Sequence, residues 1–460
     1  MQDLTTGSLA RHLLKTTGFM LVTMATQTLY FLVDIYWVGR LGREAVAAVG
    51  ISTNLLFLVL AVTQMLAVGA TALISHAVGQ KDRDRALRIF NQAQVLSVVA
   101  GAVFLVLGMA ARGFYTRAMS ADAGTAALAS DYLLWYIPAS ALQFPMAAMA
   151  AALRGTGNFK PGMVVQTSTV LMNMVLAPIL IFGWGPPAMG VAGAALATFI
   201  VVVVGTLWLL VYFRPKDAYL RFLPSEWRPR PDLWGAMLRI GLPAGAEFAL
   251  MAVYLVIVYA ISRPFGAAAQ AGFGIGMRVL QAGFMPVVAL GFAVAPVAGQ
   301  NFGAGRYDRV RETFRAAATM AAGVMAVFAV VCHISPAGLV GFFSRDPMVV
   351  AVGEEYLRIV SWNFVASGLV FVASSTFQAI GNTIPSLVAS FVRILLVALP
   401  AIGLSHVAGF QLRWIWYLSV AAITLQMALS LWLLRREFAI RLVAPPASGM
   451  AAAAAATHRS

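Results

Sequence analysis

The chain has 460 residues, of which 61% are hydrophobic and 11% are charged, and its mean hydropathy is +0.84. A water-soluble domain must cover itself with polar groups, so this composition excludes a soluble enzyme or binding module. The net charge of +15 does not indicate a nucleic-acid partner, because the basic residues fall predominantly in the short segments between apolar blocks. The sequence therefore predicts an all-α membrane protein.

Twelve apolar blocks are long enough to cross a bilayer as helices. In chain order they are predicted at 13–39, 47–77, 92–112, 129–153, 161–184, 189–213, 238–262, 270–300, 314–337, 354–380, 384–407 and 413–434. Lys and Arg are enriched on the side of the N-terminus, so the positive-inside rule places both termini in the cytoplasm. We expect a multi-pass protein of a cell membrane, the bacterial inner membrane, without a cleavable signal peptide.

The second half of the chain repeats the first. LGREAVAAVGI (41–51) matches FGAAAQAGFGI (265–275), and GNFKP (157–161) matches GNTIP (381–385), both at an offset of 224 residues. Six spans in each half give the two halves the same orientation in the membrane. Parallel repeats of this kind are typical of secondary transporters that rock one lobe against the other around a central site.

The duplication divides the chain into lobes. We predict an N-lobe at 1–213, a cytoplasmic connector at 214–237, a C-lobe at 238–435 and a disordered C-terminal tail at 436–460. GQKDRDRA after the second span echoes GRYDRVRE after the eighth span at an offset of 226, as a small insertion would give. The prediction is a bundle of twelve helices in two six-helix lobes.

One carboxylate, Asp34, lies in the second half of the first apolar block. Thr23, Gln27 and Tyr30 share its helical face at i, i+4, i+7 and i+11. A carboxylate in hydrocarbon costs several kcal/mol, and such groups usually face a cavity and serve a transport pathway. Asp34 is therefore predicted to exchange a coupling ion. The alternative is a structural acid that neighbouring helices hold by hydrogen bonds.

The acid chemistry of the C-lobe differs from that of the N-lobe. Repeat symmetry places Glu247 opposite Thr23, and Val258 opposite Asp34. Ion coupling is therefore expected in the N-lobe. Arg278 lies one span after Glu247, and an ion pair between them would lessen the cost of burying both charges; a transport role for the two residues is the alternative.

Weaker candidates are polar or adaptable residues inside other spans. Asn173, Thr198 and Gln64 are N-lobe candidates, although buried amides and hydroxyls often serve only as hydrogen bonds between helices. Met251 and Tyr254 follow Glu247 along one helical face and suit a promiscuous cavity, with plain packing as the alternative.

Enzyme motifs are missing from the sequence. The five histidines are scattered, the single cysteine excludes a thiolate metal cluster, and there is no P-loop. We expect no catalytic residue, no metal site and no cofactor. An integral-membrane transferase or hydrolase is one alternative function, and it would need acids or histidines clustered at a membrane surface.

Several motifs together resemble the multidrug and toxic compound extrusion (MATE) transporters. They are VDIYWVGRLGREAVAAVG, ALRGTGNFKPGM, NMVLAPILIFGWG, GVAGAALATF and APVAGQNFGAGRYDRVRE. The resemblance implies a V-shaped, two-lobed antiporter that exports amphipathic, often cationic compounds against inward proton or sodium flow. It also implies that Asp34 is the cation-coupling acid of the DinF-like branch and that Asn173 is its polar partner.

Three positions depart from the family pattern. Ala177 stands where the family often has an acid before proline, which weakens a sodium site with several ligands. Glu247 lies about a turn before the seventh-span acid that the NorM-like branch expects near Met251. Phe19 stands where many members have a first-span proline, so the first helix lacks the residue at which a proline-bending mechanism would act.

The leading hypothesis is thus a proton-coupled exporter of amphipathic, cationic drugs, with sodium as the alternative coupling ion. A flippase or exporter of a lipid-linked or polar metabolite on the same fold is the second hypothesis, and it predicts several cations in the central cavity, for which Arg278 and Arg393 lie deep enough. We expect small-molecule substrates, contact with the lipid bilayer and a monomer.

Overall fold

The computed structural model describes residues 1–184, 187–215, 217–407 and 409–443, without the side chains of residues 53 and 54. Over these residues the chain is all-helical. The α-helices are α1 (Leu9–Gly39), α2 (Arg43–Gly79), α3 (Arg83–Met119), α4 (Ala123–Gly155), α5 (Phe159–Phe182), α6 (Gly190–Tyr212), α7 (Pro231–Ser262), α8 (Ala267–Gly303), α9 (Tyr307–Ile334), α10 (Pro336–Gly341), α11 (Pro347–Val360), α12 (Phe364–Ala379), α13 (Ile384–Ser405) and α14 (Arg413–Arg441).

Within the described part of the chain, twelve segments are long and apolar enough to cross a membrane, as predicted. Ten are single α-helices, and the seventh is α7 continued by a 3₁₀ turn at Arg263–Phe265. The tenth is α11 and α12 together, interrupted by a 3₁₀ turn at Ser361–Asn363. The short helix α10 lies in the loop before this segment.

Several helices extend beyond the predicted spans, because hydropathy marks the apolar part of a helix and not its polar ends. Helix α7 begins at Pro231, inside the predicted connector. Helix α14 continues to Arg441, into the segment predicted to be disordered. Its last turn is held by an ion pair of 2.8 Å between Arg441 and Glu437 and by burial of Leu442. The predicted tail after residue 443 lies outside the described residues.

The connector packs against α3 of the N-lobe. The side chain of Gln92 donates to the carbonyl oxygens of Glu226 (2.6 Å) and Arg228 (2.8 Å). Asn91 accepts from the backbone N–H of Leu223 at 2.9 Å. Buried amides of α3 therefore satisfy backbone groups of a segment that has little regular structure.

The two halves have matching backbones. Gly157 and Gly381, the glycines of the repeated GN motifs, both have φ of +75°, a left-handed conformation that favours glycine. Helices α2 and α8 both have 37 residues and end at Gly79 and Gly303. The structural repeat thus keeps the offset of 224 through this region, and the insertion inferred from the offset of 226 is wrong.

The lobes contact each other along α2 and α7. A Cβ atom at Gly241 of α7 would overlap with the carbonyl oxygen of Met65 of α2, and one at Gly69 with that of Met237. The contact continues to Ala61, whose carbonyl oxygen would lie 2.7 Å from a Cβ at Gly245. Small residues at these positions let the two backbones touch.

The contact does not extend along the whole length of the helices. Phe57 and Ala249, the next pair in the same register, are both exposed. The lobes therefore diverge from this point and form a V. We call the end where the lobes touch the closed end, which contains residues 1–8, and the opposite end the open end.

The N-terminal segment joins the two lobes at the closed end. The backbone N–H of Gln2 donates to the carbonyl oxygen of Thr156 in the N-lobe (2.9 Å). The backbone N–H of Leu4 donates to the side chain of Gln300 in the C-lobe (3.0 Å), and Gln300 in turn donates to Gly155 (3.0 Å). Leu4 is fully buried, so the segment is part of the interface between the lobes.

Candidate functional site

Asp34 lies in the half of α1 toward the open end and is partly buried. It forms no hydrogen bond or ion pair with any residue that the structure describes. The hydroxyl groups of Tyr30 on its own helix and of Tyr132 and Tyr136 on α4 lie within electrostatic range of the carboxylate. The two α4 rings stack with centroids 5.4 Å apart. The site therefore combines a carboxylate that has no partner among the described residues with a group of tyrosine side chains.

Three of the predicted partners form one cluster. The hydroxyl of Tyr30 and the amide of Asn173 both lie 3.3 Å from the hydroxyl oxygen of Thr198. Thr198 donates its hydrogen to the carbonyl oxygen of Ala194 (3.2 Å). Tyr30 is therefore the donor to Thr198, and the cluster ties α1 to α5 and α6.

The other predicted N-lobe residues lie apart from this cluster. Thr23 donates to Phe19 of its own helix at 3.0 Å. The side chain of Gln27 accepts from Gln166 of α5 at 2.9 Å. Gln64 lines a different cavity, at the interface between the lobes. The polar residues predicted to share one face of α1 thus make separate contacts with different parts of the N-lobe.

The C-lobe carboxylate belongs to a chain of hydroxyl groups. Ser374 of α12 donates to Glu247 at 3.2 Å, and Ser386 of α13 donates to Ser374 at 2.8 Å. The predicted ion pair between Glu247 and Arg278 is wrong, because the side chain of Arg278 is exposed and pairs with no described acid. Helix α8 follows α7 in the chain but hardly packs against it, because α7 lies against α2 and α13 instead. Sequence order therefore did not identify the helices that surround Glu247.

A cation that acts on this acid comes from α13. Arg393 exerts an electrostatic influence on Glu247, and its guanidinium carbon lies 5.3 Å from the ring centroid of Tyr254. The hydroxyl of Tyr254 lies 3.4 Å from that of Ser419 on α14. Met251 is 42% exposed. The side chain of Tyr254 therefore makes contacts within the C-lobe, one of them in cation–π geometry.

Sequence reasoning missed four residues of the two sites: Tyr132, Tyr136, Ser374 and Ser386. The tyrosines at i and i+4 in the fourth span carried a usable signal, because polar aromatic groups on one helical face indicate a shared neighbour. The serines carried none, since a hydroxyl can bond to its own helix in an apolar span.

A family model described as MatE matches the chain twice, over residues 20–179 and 243–402. The two matches have equal length and fall one in each half of the chain. They support the internal duplication that the repeated motifs predicted.

Known proteins of similar sequence include a probable multidrug resistance protein of Bacillus subtilis, YoeA. It is 27% identical over 416 residues, which cover 89% of this chain and 90% of that protein. An FAD transporter of Shewanella oneidensis is 24% identical over 392 residues, covering 83% and 85%.

A solved structure of similar fold shows the outward-facing conformation of a multidrug resistance MATE family transporter of the MOP superfamily. Its TM-score is 0.89 at 23% identity, with 96% of this chain and 98% of that chain covered. At this identity the likeness concerns the fold alone.

Proposed function

Because the chain belongs to the MATE family of membrane transporters, whose model matches both of its halves, we propose that it exports amphipathic cationic compounds in exchange for protons. The observation that carries the proposal is Asp34, a partly buried carboxylate without a partner among the described residues. The multidrug resistance proteins among its relatives support the substrate class.

The proposed mechanism is competition at one carboxylate. Deprotonated Asp34 attracts the cationic group of the substrate, and the partly exposed ring of Tyr136 offers a face for cation–π contact. A proton that enters from the open end neutralises Asp34 and removes this attraction, so the substrate dissociates. We place the closed end in the cytoplasm, in agreement with the distribution of basic residues.

The neighbours of Asp34 favour a proton over sodium. A hard cation needs a shell of several oxygen ligands, and Ala177 replaces the acid that the family often supplies on α5. A proton needs only the carboxylate itself. We also propose that the chain is closer to the DinF-like branch than to the NorM-like branch, and this proposal rests on Asp34.

The proposal is tested by efflux measurements in a host without its own efflux pumps. Expression of the chain is expected to lower accumulation of ethidium, a protonophore should abolish this effect, and removal of sodium should leave it unchanged. Efflux that persists with the protonophore and requires sodium would reject proton coupling. A host that gains resistance to no cationic compound would reject the substrate class.

The Glu247→Gln variant tests whether coupling is confined to the N-lobe. Glutamine can still accept the hydrogen bond from Ser374, so folding should be retained, at a cost of about 1 kcal/mol or less. We expect ethidium efflux to keep at least half of its rate and its dependence on external pH. Loss of that pH dependence in a well-expressed variant would move the coupling acid to the C-lobe.

Export of a polar anionic metabolite is the second candidate function. It is favoured by the FAD transporter among the relatives. It is also favoured by Arg393 of the C-lobe, which forms no ion pair with a described residue. The same cells, assayed for FAD in the medium, separate the two functions. Secretion of FAD without efflux of ethidium would select the second candidate.

A further inference from the structure

A small cavity lies between the lobes at the point of the V, and we call it the apex cavity. It has a volume of about 20 Å³. Gln64 and Thr71 of α2 and Arg154 of α4 line it from the N-lobe, and Phe292 of α8 and Gln378 of α12 line it from the C-lobe. The apex cavity is therefore complete only when the lobes are together.

Arg154 brings a positive charge to this cavity without a matching negative charge. Its guanidinium carbon lies 5.8 Å from the ring centroid of Phe292. No described carboxylate forms an ion pair with it or lies close enough to influence it electrostatically. The end of α4 compensates part of the cost, because a cation is favoured at a helix C-terminus. A partly buried guanidinium without an ion pair still favours a counter-charge of its own.

The side-chain amides that line the cavity beside Arg154 also lack hydrogen-bond partners among the described residues. Neither the side chain of Gln64 nor that of Gln378 forms a hydrogen bond with another residue in the described part of the chain. Each carries two N–H donors. Together with the five N–H donors of Arg154, they give the cavity more donors than acceptors. This surplus suits an anion.

Arg154 and Gln378 are related by the internal repeat, at the offset of 224 residues. The apex cavity thus lies close to the axis that relates the lobes, and the two lobes contribute different groups at the same repeat position. An anion held by both would bind the closed arrangement more tightly than an arrangement with the lobes apart, and would stabilise it by that difference.

We propose that the apex cavity binds a small monovalent inorganic anion such as chloride and that the anion holds the lobes together at the closed end. Its volume fits a ligand about the size of one or two water molecules. This size excludes an organic substrate. The site is separate from Asp34, and the inference does not depend on which compound the protein exports.

The first test is thermal unfolding of the purified full chain in detergent, in chloride, bromide or gluconate at equal ionic strength and pH. Chloride and bromide should raise the unfolding temperature by about 2 °C or more over gluconate, and the rise should saturate with concentration. Arg154→Gln should remove the difference. Arg117→Gln is the matched control, because that exposed side chain contacts its own helix, and it should keep the difference.

The Gln378→Glu variant provides a second test that does not require loss of a charge. It places a carboxylate opposite Arg154, so the protein carries its own anion. Its unfolding temperature in gluconate should match that of the wild type in chloride, and added chloride should raise it no further. Wild-type protein that unfolds at the same temperature in chloride and gluconate would overturn the proposal. So would a full chloride effect in either Arg154→Gln or Gln378→Glu.

Discussion

Replacement of Asp34 by Asn is expected to reduce ethidium efflux to the level of cells without the transporter. The substitution keeps the size of the side chain but removes the charge that attracts the cation and the group that exchanges the proton. Because no described residue hydrogen-bonds to Asp34, the fold should tolerate the change. Efflux from energised membrane vesicles, normalised to the amount of protein, measures the effect.

The same variant separates binding from coupling. For the wild type, affinity for ethidium should fall as the pH falls through the pKa of Asp34, because protons and dye compete for the carboxylate. In Asp34→Asn the Kd should be about tenfold higher or more and independent of pH. Glu44→Gln, which removes an exposed acid at the start of α2, is the control and should behave like the wild type. An Asp34→Asn protein that retains pH-dependent efflux would contradict the mechanism.

Gly241→Ala is expected to open the closed end. The added methyl group would meet the carbonyl oxygen of Met65 on the opposite lobe, and a backbone atom cannot turn aside as a side chain can. Overpacking of this kind costs about 1–3 kcal/mol. A cost of that size shifts the balance between closed and open arrangements by about 5–150-fold.

Chemical labelling of a buried cysteine measures this shift. In a Cys332→Ser background, a cysteine introduced at Ala72, which is 2% exposed between the lobes, should react with maleimide at least about five times faster when Gly241 is Ala. Gly235→Ala is the matched control on the same helix, because a Cβ atom there meets nothing within 4 Å. Equal labelling rates in the two alanine variants would show that the α2–α7 contact does not hold the lobes together.

The two carboxylates show how far sequence reasoning reaches into the site. Helical periodicity predicts that Tyr30 and Asp34 share one face of α1. The structure places Tyr30 with two other predicted residues, Asn173 and Thr198. The partner of Glu247 could not be predicted in the same way. Its contacts depend on the rotation of α12 and α13, which hydropathy does not encode.

The sequence by itself determined the membrane class, the twelve spans and the duplication. These follow from local properties, because an apolar stretch must satisfy its backbone within a helix and a repeated motif repeats its backbone. The tertiary structure alone decided which polar groups meet. It left Asp34 without a partner among the described residues, gave Glu247 two serines instead of Arg278, and brought Arg154 and Gln378 to one cavity. Those contacts arise from helix rotation and from the approach of the two lobes, which residues far apart in the chain set jointly.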